Sequence, residues 1–215
     1  MKYFDHFQPT NTDFPLPYLV TRPDVTEPGK KLPLLVFLHG AGERGDDERL
    51  LCAHGPAKYF SRDAQYLGQE VIVLSPQCPK DQIWSNFPSS VMELILYVAE
   101  RENADMERIA ITGLSMGGFG TWSMLAQYPD FFSAAAPICG GGVCWYCKPS
   151  APVRAFHGDM DDLVPIENSR LMVDAVNKNG GHAELTVYPG CGHNSWEPAY
   201  ETTDLIPWLI AAKRR

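Results

Sequence analysis

The sequence predicts an α/β protein folded as one domain over residues 1–215, with a mostly parallel central sheet, helices on both faces and no cap over its loops. Three observations predict it. Short apolar runs alternate with longer helical patterns, which is how a parallel sheet covered on both sides reads in sequence. The chain has 215 residues, 45% hydrophobic and 20% charged, enough to close one core without disulfide or metal support, and no repeat or Pro/Ser-rich linker divides it. Only about a dozen residues separate the apolar run at Ala134 from the one at Val153, too few for a helical cap.

Strands are predicted over Leu32–Leu38, Val71–Leu74, Ile109–Ile111, Ala134–Ile138, Val153–Phe156 and Leu185–Tyr188. These runs are apolar, often β-branched, and lead into Gly, Pro, Ser or His, the residues of strand exits. Between them, Pro88–Glu102 opens on Pro-Ser-Ser and spaces Val91, Leu94, Ile95 and Val98 as one face of a helix. Phe119–Tyr128 and Ile166–Lys178 read as helices too, the latter through Leu171, Val173 and Val176. A last helix is predicted over Tyr200–Ala212, kinked at Pro207, with Lys213, Arg214 and Arg215 suited to its negative C-terminal end.

Charge excludes some partners. Eighteen basic side chains against 26 acidic ones leave a net −8, which repels a nucleic-acid backbone and an anionic membrane surface. The longest uncharged run, Ile109–Pro129, holds Gly113, Gly117, Gly118 and Gly120, so it reads as a buried strand entering a buried helix rather than a membrane span. Asp5 falls where a leader would be apolar, so the expectation is a cytoplasmic protein with its six cysteines as free thiols, although a mature secreted form would read the same. Nothing in the sequence sets an oligomeric state.

The sharpest chemical signal is Gly113-Leu114-Ser115-Met116-Gly117-Gly118, directly after one predicted strand and before a helix. A serine on a tight strand-to-helix turn needs small neighbours two positions away on each side, and the helix then directs its positive end at the serine oxygen. A serine hydroxyl also needs a base and an orienting carboxylate, expected in the order Ser, Asp, His. Among six histidines, His39, His54 and His157 precede or end strands, and His182 opens one; His193 alone sits in a glycine-rich loop after the last strand, with His182 in reserve. Three carboxylates, Asp159, Asp161 and Asp162, follow the strand at Val153, and loop geometry alone leaves the choice open. At the exit of the first predicted strand, His39-Gly40-Ala41-Gly42-Glu43-Arg44-Gly45 offers backbone N–H groups for an oxyanion, Ala41 being one donor and Met116, after the serine, the other. Glu43 and Arg44 read as braces of that loop, and a phosphate-cradling lysine motif is missing from it.

These segments, with Ser75-Pro76-Gln77-Cys78-Pro79 and Trp84, His157-Gly158 through Val164-Pro165, and Gly192-His193-Asn194-Ser195-Trp196, resemble the phospholipase/carboxylesterase branch of the α/β-hydrolases, also labelled predicted peptidase or poly(3-hydroxybutyrate) depolymerase-like. The resemblance spans most of the chain. It implies a single-domain α/β-hydrolase and a carboxylic ester hydrolase that needs no cofactor and no metal, acting on a small-molecule ester of short to medium acyl length. It places the acid of the triad at Asp161, beside Ser115 and His193, and the oxyanion donors at Ala41 and Met116. Rival readings are a carbohydrate acetyl or feruloyl esterase and a non-catalytic ligand-binding module of the same fold.

Cys144-Trp145-Tyr146-Cys147 stands outside that pattern. A redox pair would start a helix, and structural zinc would want a second ligand pair, which the spacing lacks although Cys139 is near, so the loop reads as packed or locally disulfide-bonded. Trp145, Tyr146 and Trp196 are candidates for the substrate pocket.

Overall fold

A computed structural model describes residues 1–10, 15–24, 27–143 and 147–214. The strands are β1 (Lys2–Phe7), β2 (Leu16–Thr21), β3 (Leu32–Leu38), β4 (Ile72–Pro76), β5 (Ala104–Leu114), β6 (Ala134–Ile138), β7 (Val153–Gly158) and β8 (Ala183–Tyr188). The helices are α1 (Gly55–Phe60), α2 (Pro88–Arg101), α3 (Met116–Gln127), α4 (Glu167–Lys178), α5 (Trp196–Glu201) and α6 (Leu205–Ala211).

All eight strands form one sheet in the order β1-β2-β4-β3-β5-β6-β7-β8. The six from β4 to β8 run parallel, while β2 joins β4 antiparallel and β1 pairs antiparallel with β2. Both faces of the central strands are buried, which is why they are apolar at every position rather than at alternate ones. On β3, Leu34, Val36 and Leu38 join the core beneath α2, α3 and α4, whereas Leu35 and Phe37 join the opposite core beneath α1, α5 and α6. Each such side chain contributes about 1.5–3 kcal/mol by leaving water. No helix among the described residues is long and apolar enough to cross a membrane.

The structure departs from the sequence expectation in several places, among them helix α1, which its short Gly-Pro opening did not signal. The β1–β2 hairpin was not anticipated, because β1 alternates exposed and half-buried positions at the sheet edge and its charges mask the strand pattern. Strand β5 begins at Ala104 rather than Ile109, with an irregularity opposite Leu32 to Leu34 that accommodates its polar first half. The last helix is two helices, and the break falls at Thr202–Asp204 rather than at Pro207. Thr203 Oγ1 donates to Ala199 O at 2.6 Å and accepts from Leu205 N at 3.1 Å, closing α5 and opening α6. Pro207 then sits in the first turn of α6, where no intrahelical N–H is needed.

The order of strands places the chemistry. Strands β3 and β5 are neighbours with Leu38 opposite Gly113, so the loops after them meet; β7 and β8 are neighbours with Gly158 opposite Tyr188, so the loops carrying Asp161 and His193 meet as well.

Candidate active site

Ser115 stands between β5 and α3 with φ 53° and ψ −118°, a left-handed conformation that side chains rarely adopt. The turn is tight enough to exclude any Cβ at its flanks. A Cβ on Gly113 would lie 2.3 Å from Gly117 O, and one on Gly117 would lie 1.9 Å from Leu38 O. Ser115 N donates to Ile138 O at 2.9 Å, tying the turn to β6. Met116 opens α3, so its N–H has no partner within the helix and the positive end of the helix lies at the serine.

The structure brings Ser115, His193 and Asp161 into one line of hydrogen bonds. Ser115 Oγ is 2.8 Å from His193 Nε2, and His193 Nδ1 is 2.8 Å from Asp161 Oδ2. The Asp161 side chain has no exposed surface. Burial pushes its carboxyl up, but hydrogen bonds from Val164 N, His193 and Leu163 N outweigh burial and hold it below the usual carboxylate range. An ionised carboxylate only accepts, so His193 Nδ1 carries the ring proton and Nε2 accepts from the serine hydroxyl.

The neighbouring carboxylates do other work or none. Asp159 Oδ1 accepts from Gly190 N at 2.7 Å, fastening the loop that carries His193, and Asp162 is exposed. His182 is exposed and lies 3.4 Å from Glu184, so the reserve histidine is not at the serine. His54 ends no strand; it precedes α1.

The loop after β3 is held in shape from below. Gln77 Nε2 donates to Glu43 O and Asp47 O, both at 2.9 Å, and Gly45 N donates to Cys78 O at 2.9 Å. His39 Nε2 accepts from Cys78 N at 2.9 Å, so Nδ1 carries the proton and donates to Gly40 O at 2.6 Å. Trp84 Nε1 donates to His39 O at 3.0 Å. Burial pushes the His39 imidazole down to about 4, and it stays neutral here. The Ser75–Pro79 and Trp84 segments are thus the supports of this loop. Ala41, on its rim, opens a single helical turn beside the serine.

Two open depressions flank Ser115. One, of about 350 Å³, is walled by Glu43, His54, Leu163, His193 and Trp196. The other, of about 320 Å³, is walled by Ile83, Ser85, Met116 and Phe119. Trp196 borders the first depression, its ring 5.4 Å from that of His193 and nearly perpendicular. Trp145 and Tyr146, the other expected pocket residues, and Cys144 lie outside the described residues. Sequence reasoning missed His54, Ile83 and Phe119. It assigned Glu43 with Arg44 to bracing; the Arg44 side chain does brace the loop, donating to Ala41 O and Gln82 O, but the Glu43 side chain borders the depression.

Cys52, Cys78, Cys139 and Cys191 are free thiols. Cys139, Asp161 and His193 offer donor atoms within 4.8 Å of one another. Burial pushes the Cys139 thiol up to about 12, so it presents a neutral thiol rather than a thiolate, and the other two groups already bind each other.

The family model described as "Dienelactone hydrolase family" matches residues 74–203. A carboxymethylenebutenolidase homologue of Escherichia coli O157:H7 is 29% identical over 124 residues, covering 47% of this chain and 43% of that protein. Poly(3-hydroxyalkanoate) depolymerase C of Paucimonas lemoignei is 42% identical over 52 residues, covering 24% of this chain and 13% of that protein. The crystal structure of a thermostable esterase superposes with a TM-score of 0.91 at 35% identity, covering 99% of this chain and 63% of that one. The chain therefore spans less than half the length of these two curated relatives and under two thirds of that esterase.

Proposed function

Since the chain belongs to the dienelactone hydrolase family, an α/β-hydrolase family, we propose that it hydrolyses carboxylic esters of short to medium acyl length by acyl transfer through Ser115. The observation that carries this reading is the Ser115–His193–Asp161 line, with 2.8 Å at each contact. Ser115 Oγ attacks the ester carbonyl carbon while its proton passes to His193 Nε2. Asp161 fixes the tautomer and stabilises the imidazolium that forms. The carbonyl oxygen, now anionic, sits between the N–H groups of Ala41 and Met116, and each such donor is worth about 2.7–4 kcal/mol of barrier in this chemistry. Collapse of the tetrahedral intermediate breaks the C–O bond to the alcohol, which takes the proton back from His193. Water then attacks the acyl-enzyme by the same route and frees Ser115. A lactone is a cyclic ester, so the chemistry that the family's name denotes is the same.

The test is covalent labelling with a fluorophosphonate followed by mapping of the modified residue, together with Ser115→Ala. Labelling at Ser115 and a loss of turnover beyond 10²-fold are expected. An unlabelled protein, or a variant that keeps more than about 1% of kcat, would put the non-catalytic reading of the fold first.

A further inference from the structure

A single peptide unit joins His39 to the proposed oxyanion site. Gly40 O and Ala41 N belong to the same trans peptide, in which carbonyl and N–H lie in one plane and point in opposite directions. Whatever holds Gly40 O therefore aims the Ala41 N–H on the other side. That N–H opens a short helical turn and has no acceptor within it. The group that holds Gly40 O is His39, whose Nδ1 donates to it at 2.6 Å. Glu43 Oε2, the other acceptor near Nδ1, is 3.8 Å away, beyond hydrogen-bond distance.

The imidazole is itself fixed. Cys78 N donates to Nε2 at 2.9 Å, which leaves the one ring proton on Nδ1. The Trp84 ring meets it edge-on with centres 5.0 Å apart, and Trp84 Nε1 donates to His39 O at 3.0 Å. His39 and Gly40 are buried, where a hydrogen bond is strong and polarises the groups beyond it, so the bond at Gly40 O makes the N–H of the same peptide a better donor. His39 borders neither depression. Resting on the ester-hydrolase reading of Ser115 with Ala41 as an oxyanion donor, we propose that His39 is a positioning residue of the reaction. Through the Gly40 carbonyl, its Nδ1–H aims the Ala41 N–H at the ester oxygen and strengthens that donor as negative charge forms. The help comes after attack begins, so it acts on kcat rather than on KM.

Two amides that each imitate one ring nitrogen test it. His39→Asn places its N–H where Nδ1 stands, keeping the donor to Gly40 O and losing the acceptor for Cys78 N. His39→Gln reaches the place of Nε2, keeping that acceptor and losing the donor. On p-nitrophenyl acetate, kcat is expected to fall about tenfold to a hundredfold in His39→Gln with KM nearly unchanged, and several-fold less in His39→Asn. A trifluoromethyl ketone separates positioning from loss of folded protein. Ser115 Oγ adds to its carbonyl carbon, the π pair moves onto the oxygen and the hydroxyl proton passes to His193, so the adduct presents the same oxyanion. Its inhibition constant should weaken in His39→Gln by the factor lost from kcat/KM, whereas partial unfolding lowers the number of active sites and leaves that constant alone. A fully active His39→Gln, a loss of kcat without weaker inhibition, or a His39→Asn that falls as far as His39→Gln overturns the positioning role. Should His39→Gln not fold, the wild type carries the measurement: the His39 Nδ1–H proton resonance is expected to move downfield when the adduct forms, and an unmoved resonance overturns the proposal. A wild type that hydrolyses no p-nitrophenyl ester and whose Ser115 takes no fluorophosphonate removes the ester-hydrolase reading and the positioning role with it; a labelled, active wild type with a fully active His39→Gln removes the positioning role alone.

Discussion

Asp161 Oδ2 is shared by two histidines, His193 at 2.8 Å through Nδ1 and the wholly buried His157 at 3.2 Å through Nε2. His157 Nε2 also lies 2.9 Å from Val164 O, and since both neighbours are acceptors that nitrogen must carry the proton. With Leu163 N and Val164 N on Oδ1, four donors surround one carboxylate. On the far side of the ring, His157 Nδ1 lies 2.7 Å from Ser169 Oγ, which is also 3.0 Å from Gly140 O. His157 therefore positions Asp161 without touching the serine.

Replacing His157 with Phe removes one charge-assisted hydrogen bond from Asp161 and leaves the Ser115–His193 contact in place. The expected outcome is a fall in kcat of about tenfold to a hundredfold with KM nearly unchanged. Steady-state kinetics on a soluble ester decide it; a change confined to KM would show that His157 acts on substrate binding instead.

His39 makes the fold acid-sensitive. Burial holds its imidazole at about 4 when folded, against about 6.5 in an unfolded chain. A pKa lowered on folding means that the unfolded chain binds the proton first. Stability from this group is thus complete above about pH 6.5 and is lost as pH falls toward 4, by about 3 kcal/mol in all. Urea unfolding of the wild type and of His39→Gln at pH 7.5 and 4.5 measures it. The wild type should lose more stability across that interval than the variant, and equal losses would contradict the assignment.

On the proposed ester-hydrolase reading, the open depression of about 320 Å³ under Ile83, Met116 and Phe119 receives the acyl chain. Each methylene that finds this wall gains up to about 0.8 kcal/mol, and those beyond it gain nothing. Among p-nitrophenyl esters from acetate to palmitate, kcat/KM is expected to rise over the first few carbons and then level or decline. A steady climb to dodecanoate would reveal a longer acyl channel.

The parts of this molecule that were legible in sequence are those set by local sterics. The turn at Ser115 could be read because Gly113 and Gly117 are demanded by backbone atoms less than 3 Å from where their Cβ atoms would be. His193 was legible from a glycine-rich loop after the last strand. Asp161 was not separable from Asp159 and Asp162 by local rules, since what distinguishes it is the two amides and two imidazoles that fold around it. The break before α6 had a local signal in Thr203 that the apolar spacing of Leu205 to Leu209 outweighed. Glu43, His54 and Trp196 meet from three separate segments, and no spacing in sequence records such a meeting.

Strand β8 is the last in the sheet; it pairs with β7 alone, and most of its residues are exposed or half-buried. On the proposed mechanism the imidazole that accepts the serine's proton hangs from the loop beyond it, so turnover depends on an edge strand of the sheet. Such an edge opens at a lower free energy than the centre. Activity therefore works as a fuse: fraying of β8 silences the serine while β3 to β6 and their helices stand. In a urea titration, turnover should vanish at a lower concentration than helical circular dichroism, and coincident midpoints would mean that edge and centre melt together.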